Sequence, residues 1–243
     1  PLIYLTDKNK PSPMTAPNFC MLLRKHIGSA RIVDISQPGL ERIIQFDLEH
    51  LDEMGDLCRK KLIVEIMGKH SNIIFCREDG TIIDSIKHVS AQVSSVREVL
   101  PGRSYFIPQT VAKENPLTVT QETFHQAVGS SSMSVQKALY SHLTGISPIM
   151  AEEICHLASI DSDYGASELS ETELLHLYHT FSLVMEDVKE GNFAPAIVFD
   201  EGGPVEYAAL SLTCYESGTY HSQSFRSMSR LLEEYYASRD TIT

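Results

Sequence analysis

Three short clusters in the first half of the chain hold side chains able to do chemistry. Gly68-Lys69-His70-Ser71-Asn72 sets an ammonium, an imidazole and two short hydrogen-bonding groups after a flexible glycine. Glu41 and Arg42 place an acid beside a base, and Arg24, Lys25 and His26 form a cationic triplet. A polar turn of the first kind can present donors outward from a rigid sheet edge. The alternative is a turn whose polar groups satisfy only their own backbone. Neighbouring strand residues point to opposite faces, so Glu41 and Arg42 cannot simply pair with each other and each is free to meet a partner. The triplet also has two readings. Cations in the last turn of a helix complement its dipole, or they face a phosphate with Arg24 and Lys25 side by side.

None of these clusters is catalytic machinery. The chain contains no Walker loop, GxGxxG, HExxH or GxSxG. His176 and His179 share a helical face with Glu173, but leucines interleave and no fourth ligand is near, so neither a metal nor a cofactor is expected. Tyr105 and Phe106 are single aromatics rather than a stacking platform, and there is no Trp. The expectation is a protein that is not an enzyme.

The elements that must position these residues are legible in outline. Leu62 to Met67, Asn72 to Arg77 and Thr81 to Lys87 are β-branched-rich runs, and Asp79-Gly80 is a strong hairpin signal, so an antiparallel meander is expected. Two further strands are expected over Arg31 to Gln37 and Arg42 to Glu49, joined at Pro38-Gly39, with Leu51 to Lys60 as a polar loop. Upstream, Phe19, Leu22, Leu23, His26 and Ile27 repeat with helical period, with Thr15 as the expected cap and Gly28 as the stop. Residues 1 to 13 read as extended and punctuated by proline.

From Pro101 the character changes. Helices are expected over Gln121 to Val128, Val135 to Leu143, Pro148 to Ala158 and Glu171 to Lys189. Around Gly145 the order of helix, glycine turn and helix capped by Ser147-Pro148 is a helix-hairpin-helix pattern whose free N–H groups can hold a phosphate, although Glu152 and Glu153 would repel one. A short return to β follows over Ala196 to Phe199 and Val205 to Leu212. The tail from Ser224 to Arg239 is an amphipathic helix whose unexhausted pattern is expected to continue into a coiled coil. The fold class is therefore α+β, with divisions at 1–110 (β-rich), 111–190 (helix-hairpin-helix) and 191–243 (β return and exit helix).

The chain of 243 residues has a net charge of −12, distributed unevenly. Residues 1–110 carry 14 Lys and Arg against 13 Asp and Glu, whereas residues 111–243 carry 6 against 19, so contact with a polyanion belongs before residue 110. No apolar run approaches the roughly 20 residues that span a bilayer, and no signal-peptide pattern opens the chain. Five scattered cysteines, Cys20, Cys58, Cys76, Cys155 and Cys214, with no CxxC pair, argue for reduced thiols and a cytoplasmic setting.

MLLRKH (Met21 to His26), GLERIIQFD (Gly39 to Asp47), VEIMGKHSNIIF (Val64 to Phe75), IKHV (Ile86 to Val89), LPGRSY (Leu100 to Tyr105) and GISPIMAEEI (Gly145 to Ile154) occur in this order. Together they resemble the N-terminal half of the NFACT family of RqcH, fibronectin-binding-protein-A-like and NEMF-related proteins. EIMGKHSN is the most specific motif. The resemblance implies a fragment lacking some N-terminal residues, with a fold like that of formamidopyrimidine-DNA glycosylase. Those enzymes use an N-terminal Pro followed by Glu, and Pro1 is followed here by Leu2, so glycosylase activity is rejected. What the resemblance implies instead is an RNA-binding factor of ribosome-associated quality control. Such a factor binds the large ribosomal subunit, with its rRNA, carrying obstructed peptidyl-tRNA, and recruits tRNA for C-terminal alanine tailing. An Asp-Arg pair tied to tRNA engagement in the family matches Glu41 and Arg42, the acid being one methylene longer here. Arg24, Lys25, Lys69 and His70 are the further RNA-contact candidates. The other function implied by the family is a surface adhesin that binds fibronectin, against which the lack of a signal peptide, an anchor and disulfides counts.

Overall fold

The computed structural model describes residues 1–109 and 112–240. They form two compact units, one of Lys10 to Ala112 with Pro1 and Leu2, the other of Lys113 onward with Ile3–Asn9. The boundary expected at 110/111 falls outside the described residues. Ile3–Asn9 group with the second unit because Leu5 N–H donates to Ser229 Oγ at 2.9 Å and the Thr6 hydroxyl donates to Glu233 at 2.7 Å.

The first unit is a helix, α1 (Asn18–Ile27), and five strands, β1 (Arg31–Ser36), β2 (Ile43–Leu51), β3 (Leu57–Glu65), β4 (Asn72–Arg77) and β5 (Ile82–Ser85). The strands pair antiparallel in chain order, β1-β2-β3-β4-β5, with Ile43 opposite Glu65, His50 opposite Cys58 and Leu62 opposite Phe75. Period-two alternation sorts the apolar residues between the faces. Ile43, Ile63, Ile74, Cys76 and Ile82 are buried on one face under Val99, with Val89, Tyr105 and Ile107 packed against them. Each such aliphatic side chain contributes about 1.5–3 kcal/mol. On the other face lie buried Leu48 and Phe75, and the His26 ring of α1 sits 5.8 Å from that of Phe75. The expected meander is therefore the core of a longer five-stranded one.

Two local expectations need correction. Thr15 does not cap α1; Pro17 occupies the N-cap position with no side-chain hydrogen bond, and its carbonyl accepts from Met21 N–H at 3.1 Å. Leu51 to Lys60 is not a loop, because the Asp52 carboxylate accepts from the N–H groups of Met54 and Asp56, both at 2.9 Å. That closes a turn between Leu51 and Leu57 and leaves Leu57 to Lys60 in β3. The alternation there is masked in the sequence by consecutive cations at Arg59, Lys60 and Lys61.

The second unit opens with four helices, α2 (Gln121–Gly129), α3 (Val135–His142), α4 (Pro148–Leu157) and α5 (Glu171–Glu190). Thr120, Ser134, Ser147 and Ser170 each accept an N–H from the first turn of the helix that follows, and Ser170 with Glu173 completes a capping box. Their core stacks Phe124 on Phe181 at 5.0 Å. Gly145, at φ 77°, makes the turn between α3 and α4. Glu153 does not stand over the start of α4: it is buried, and its carboxylate accepts from Thr213 Oγ1 at 2.6 Å and Cys214 N–H at 2.8 Å. A three-stranded sheet follows, β6 (Ala196–Asp200), β7 (Gly203–Ala208) and β8 (His221–Ser224), in the order β7-β6-β8, and α6 (Met228–Asp240) covers it through Leu231 and Tyr235. The sequence reading had missed β8, a four-residue strand of polar side chains, all exposed. Among the described residues no helix is long and apolar enough to cross a membrane.

Candidate nucleic-acid interface

Glu41 and Arg42 sit in the link between β1 and β2, just ahead of the strand in which Arg42 was expected. Gly39, at φ 55°, turns the chain in a region that disfavours residues with a Cβ, and Glu41 N–H donates to Pro38 O at 3.1 Å. The Gln37 side-chain amide holds the turn from the other side, donating to Glu41 O at 2.8 Å. Arg42 O then accepts from Ile66 N–H at 2.9 Å, which extends the β2–β3 ladder by one bond and ties the Arg42 backbone to the exit of β3. The Arg42 side chain is exposed and Glu41 is half-buried. Among the described residues they form no ion pair with each other or with any third group.

The exit of β3 leads directly to Lys69 and His70. Gly68 to His70 form a single 3-10 turn, with Gly68 at φ 57°. Ser71 locks it, accepting Met67 N–H at 2.8 Å and donating its hydroxyl proton to Gly68 O at 2.7 Å. Asn72 anchors the next layer: its amide donates to Lys87 O at 3.0 Å and accepts Lys87 N–H at 3.0 Å. Lys87 in turn donates its ammonium to Lys69 O at 3.1 Å. The motif thus divides by role. Ser71 and Asn72 satisfy the backbone, while the side chains of Lys69 and His70 stay exposed. Both earlier readings of this turn hold, each for different residues of it.

Beneath this end lies Glu65, fully buried and opposite Ile43. It accepts the Tyr105 hydroxyl proton at 2.7 Å and pairs with the Arg97 guanidinium, which also donates to Phe106 O at 2.7 Å. Burial, then the Glu65 charge and the hydrogen bond to it, push the Tyr105 phenol far above its ordinary range, so it stays a donor. Beside the Arg42 turn a cavity of about 250 Å³ is lined by Ser36, Gln37, Pro38, Ile43, Gln45, Tyr105 and Ile107. Reading the sequence alone missed Glu65, Arg97, Tyr105 and Lys87 as residues that shape this end. The available signal was that all four fall in or beside the recognised motifs.

Arg24 and Lys25 lie elsewhere. Both are exposed in the last turn of α1. Burial, followed by the charges of Lys25, Lys60 and His50, holds His26 below the usual histidine value, with Glu53 opposing. Lys60 and His50 belong to the half of the sheet away from Ile43 and Glu65, so α1 ends toward the β2–β3 hairpin. The structure brings together Glu41, Arg42, Lys69 and His70, and it separates Arg24 and Lys25 from them.

Chemically, the first group offers a guanidinium, an ammonium and an imidazole on a rigid sheet end, with a carboxylate at the rim. A guanidinium can clamp a phosphate with two parallel bonds or stack on an unpaired base. Among the described residues no cluster of three His, Cys, Asp or Glu could hold a metal ion.

Comparison with known proteins gives consistent results. The family model for NFACT N-terminal and middle domains matches residues 1–242. The Rqc2 homolog RqcH of Bacillus subtilis (strain 168) is 34% identical over 244 residues, a match that covers 99% of this chain and 40% of that protein. This chain therefore spans about two fifths of that relative. Among solved structures, the N-terminal part of the fibronectin/fibrinogen-binding protein of Streptococcus suis superposes with a TM-score of 0.74 at 31% identity, over 97% of this chain and 78% of the other. The fibrinogen binding protein of Staphylococcus aureus gives 0.75 at 27% identity, over 92% and 76%.

Proposed function

The chain belongs to the NFACT family, and on that premise we propose that it is the RNA-binding part of a cytoplasmic, non-enzymatic factor of ribosome-associated quality control. In this reading the protein engages the large ribosomal subunit with its obstructed peptidyl-tRNA and recruits tRNA for C-terminal alanine tailing. The observation that carries the reading is the exposed Arg42, without an ion pair among the described residues, joined through Ile66 to the turn that presents Lys69 and His70. Rigid backbone on both sides leaves these side chains little to do within the fold, whereas an RNA loop supplies the phosphates and unstacked bases they suit. Glu41, half-buried at the rim, accepts from a ribose hydroxyl or base amine.

The test is tRNA co-purification with the full-length protein carrying Glu41→Ala and Arg42→Ala. Loss of tRNA with an unchanged melting curve supports the assignment, and undiminished tRNA removes it. A second reading rests on two similar structures, of proteins named for binding fibronectin or fibrinogen. Fractionation separates the two: sedimentation with large ribosomal subunits favours the first, and recovery at the cell surface favours the second.

A further inference from the structure

We propose, resting on the RNA reading above, that Lys87 is a further RNA-contact residue, which completes with Arg42 and Lys69 a row of cations that follows the phosphates of one RNA strand across the end of the first sheet. Strand order places the three residues side by side. Arg42 precedes β2, whose first residue, Ile43, faces Glu65 at the end of β3, and Glu65 faces Asn72 at the start of β4. Ser85, the last residue of β5, lies opposite Ile74, and the Asn72 side chain bonds the backbone of Lys87 just beyond it. The strands β2, β3, β4 and β5 are consecutive neighbours, so all three residues stand at the same sheet end. Neighbouring strands lie about 4.8 Å apart, which sets roughly 14 Å between the positions at β2 and β5. Phosphates along one strand of a stacked nucleic-acid helix are separated by about 3.4 Å of axial rise, so the row is long enough to meet more than one.

The backbone of Lys87 is fixed by the fold itself. Its N–H donates to Asn72 Oδ1 at 3.0 Å, and its carbonyl accepts from Asn72 Nδ2 at 3.0 Å and from the Ser85 hydroxyl at 2.8 Å. The side chain is exposed, and its ammonium makes one hydrogen bond, to Lys69 O at 3.1 Å. An ammonium carries three donors, so two are left over. Among the described residues neither Lys87 nor Lys69 has an ion-pair partner; the carboxylates of this end are engaged elsewhere, Asp84 by His88 at 2.6 Å and Glu65 by Arg97. Arg103, in the same unit, is also paired, with Glu98 at 2.8 Å. The fold therefore sets the Lys87 ammonium on the backbone of a second lysine with no acid beside it, an arrangement that an added anion stabilises. Bracing the Lys69 carbonyl needs a single donor, which a neutral amide supplies. The charge of Lys87 is the part the fold does not use.

The experiment measures binding of unfractionated tRNA to the full-length protein over a range of salt concentrations. Lys87→Gln should lower affinity about fivefold and reduce the slope of log affinity against log salt by roughly one phosphate contact, and Lys87→Arg, which keeps the charge, should restore both. An unchanged slope in Lys87→Gln, whether or not affinity falls, means that the residue only braces the Lys69 turn and overturns the proposal. Arg42→Ala in the same titration separates this failure from that of the RNA reading. If Arg42→Ala loses affinity while Lys87→Gln keeps its slope, the RNA reading stands without Lys87; if neither variant differs from the unsubstituted protein, both fall.

Discussion

The two ends of the five-stranded sheet are both closed by short links, yet they leave different groups free. At the end that carries Arg42, neutral side chains satisfy the backbone: Ser71 closes one turn and Asn72 ties in Lys87. At the opposite end carboxylates do that work. Asp52 accepts two N–H groups in the β2–β3 turn, and Asp79 accepts Thr81 N–H at 2.9 Å in the β4–β5 turn. Acids fixed beside Arg59 and Lys60 offset those cations locally, and Glu49 pairs with Arg59 at 3.5 Å. Where amide and hydroxyl side chains hold the turn, the side chains of Arg42, Lys69 and His70 are left exposed. The polyanion interface proposed above therefore depends as much on which residues bond the backbone as on where the cations are.

Several substitutions break or sharpen that contrast. The largest effect is expected from Glu65→Ala, which leaves the Arg97 guanidinium and Tyr105 hydroxyl without their buried acceptor. Chemical denaturation should show the first unit losing about 3–5 kcal/mol, the cost of breaking one side of a buried pair. Next comes Asn72→Ala, which frees Lys87 and with it the support of the Lys69 carbonyl. It should cost about 2–3 kcal/mol in the same measurement and weaken RNA binding as well. Asp52→Ala at the far end should cost only about 1 kcal/mol and leave RNA affinity unchanged in a filter-binding titration. If Asn72→Ala and Asp52→Ala weaken RNA binding equally, the two ends are not distinct in function.

The smallest effect concerns pH. Hydrogen bonds from Thr81, backbone first, hold the Asp79 carboxylate below its ordinary value. A depressed folded value means that its contribution is present above the unfolded value and lost as pH falls through the folded one. The protection factor of Thr81 N–H, its exchange rate corrected for the intrinsic pH dependence, should therefore fall on acidification through the carboxylate range, and Asp79→Asn should flatten that dependence.

Much of this arrangement was legible in the sequence because it is local. The Asp79-Gly80 hairpin, the Ser147 cap of α4 and the period-two faces of β2 each depend on residues a few positions apart. What stayed hidden depends on distant partners. Glu65 meets Arg97 and Tyr105 from 32 and 40 positions away, and Asn72 meets Lys87 from 15. The motif EIMGKHSN could be recognised without showing that its Glu, Ser and Asn serve the fold while its Lys and His do not. The Arg24-Lys25 pair looked equivalent to Lys69-His70 in one dimension, and only strand register separates them.

Arg42 is proposed to meet RNA because of where its turn stands on the sheet, and one paired measurement tests this. The salt dependence of tRNA binding by the full-length protein should be compared between Arg42→Ala and Arg59→Ala, the latter removing an exposed cation from the other end. Arg42→Ala is expected to lower affinity by about tenfold and to reduce the slope of log affinity against log salt by roughly one phosphate contact, while Arg59→Ala changes neither. Equal losses from the two variants, or no loss from Arg42→Ala, would contradict the account.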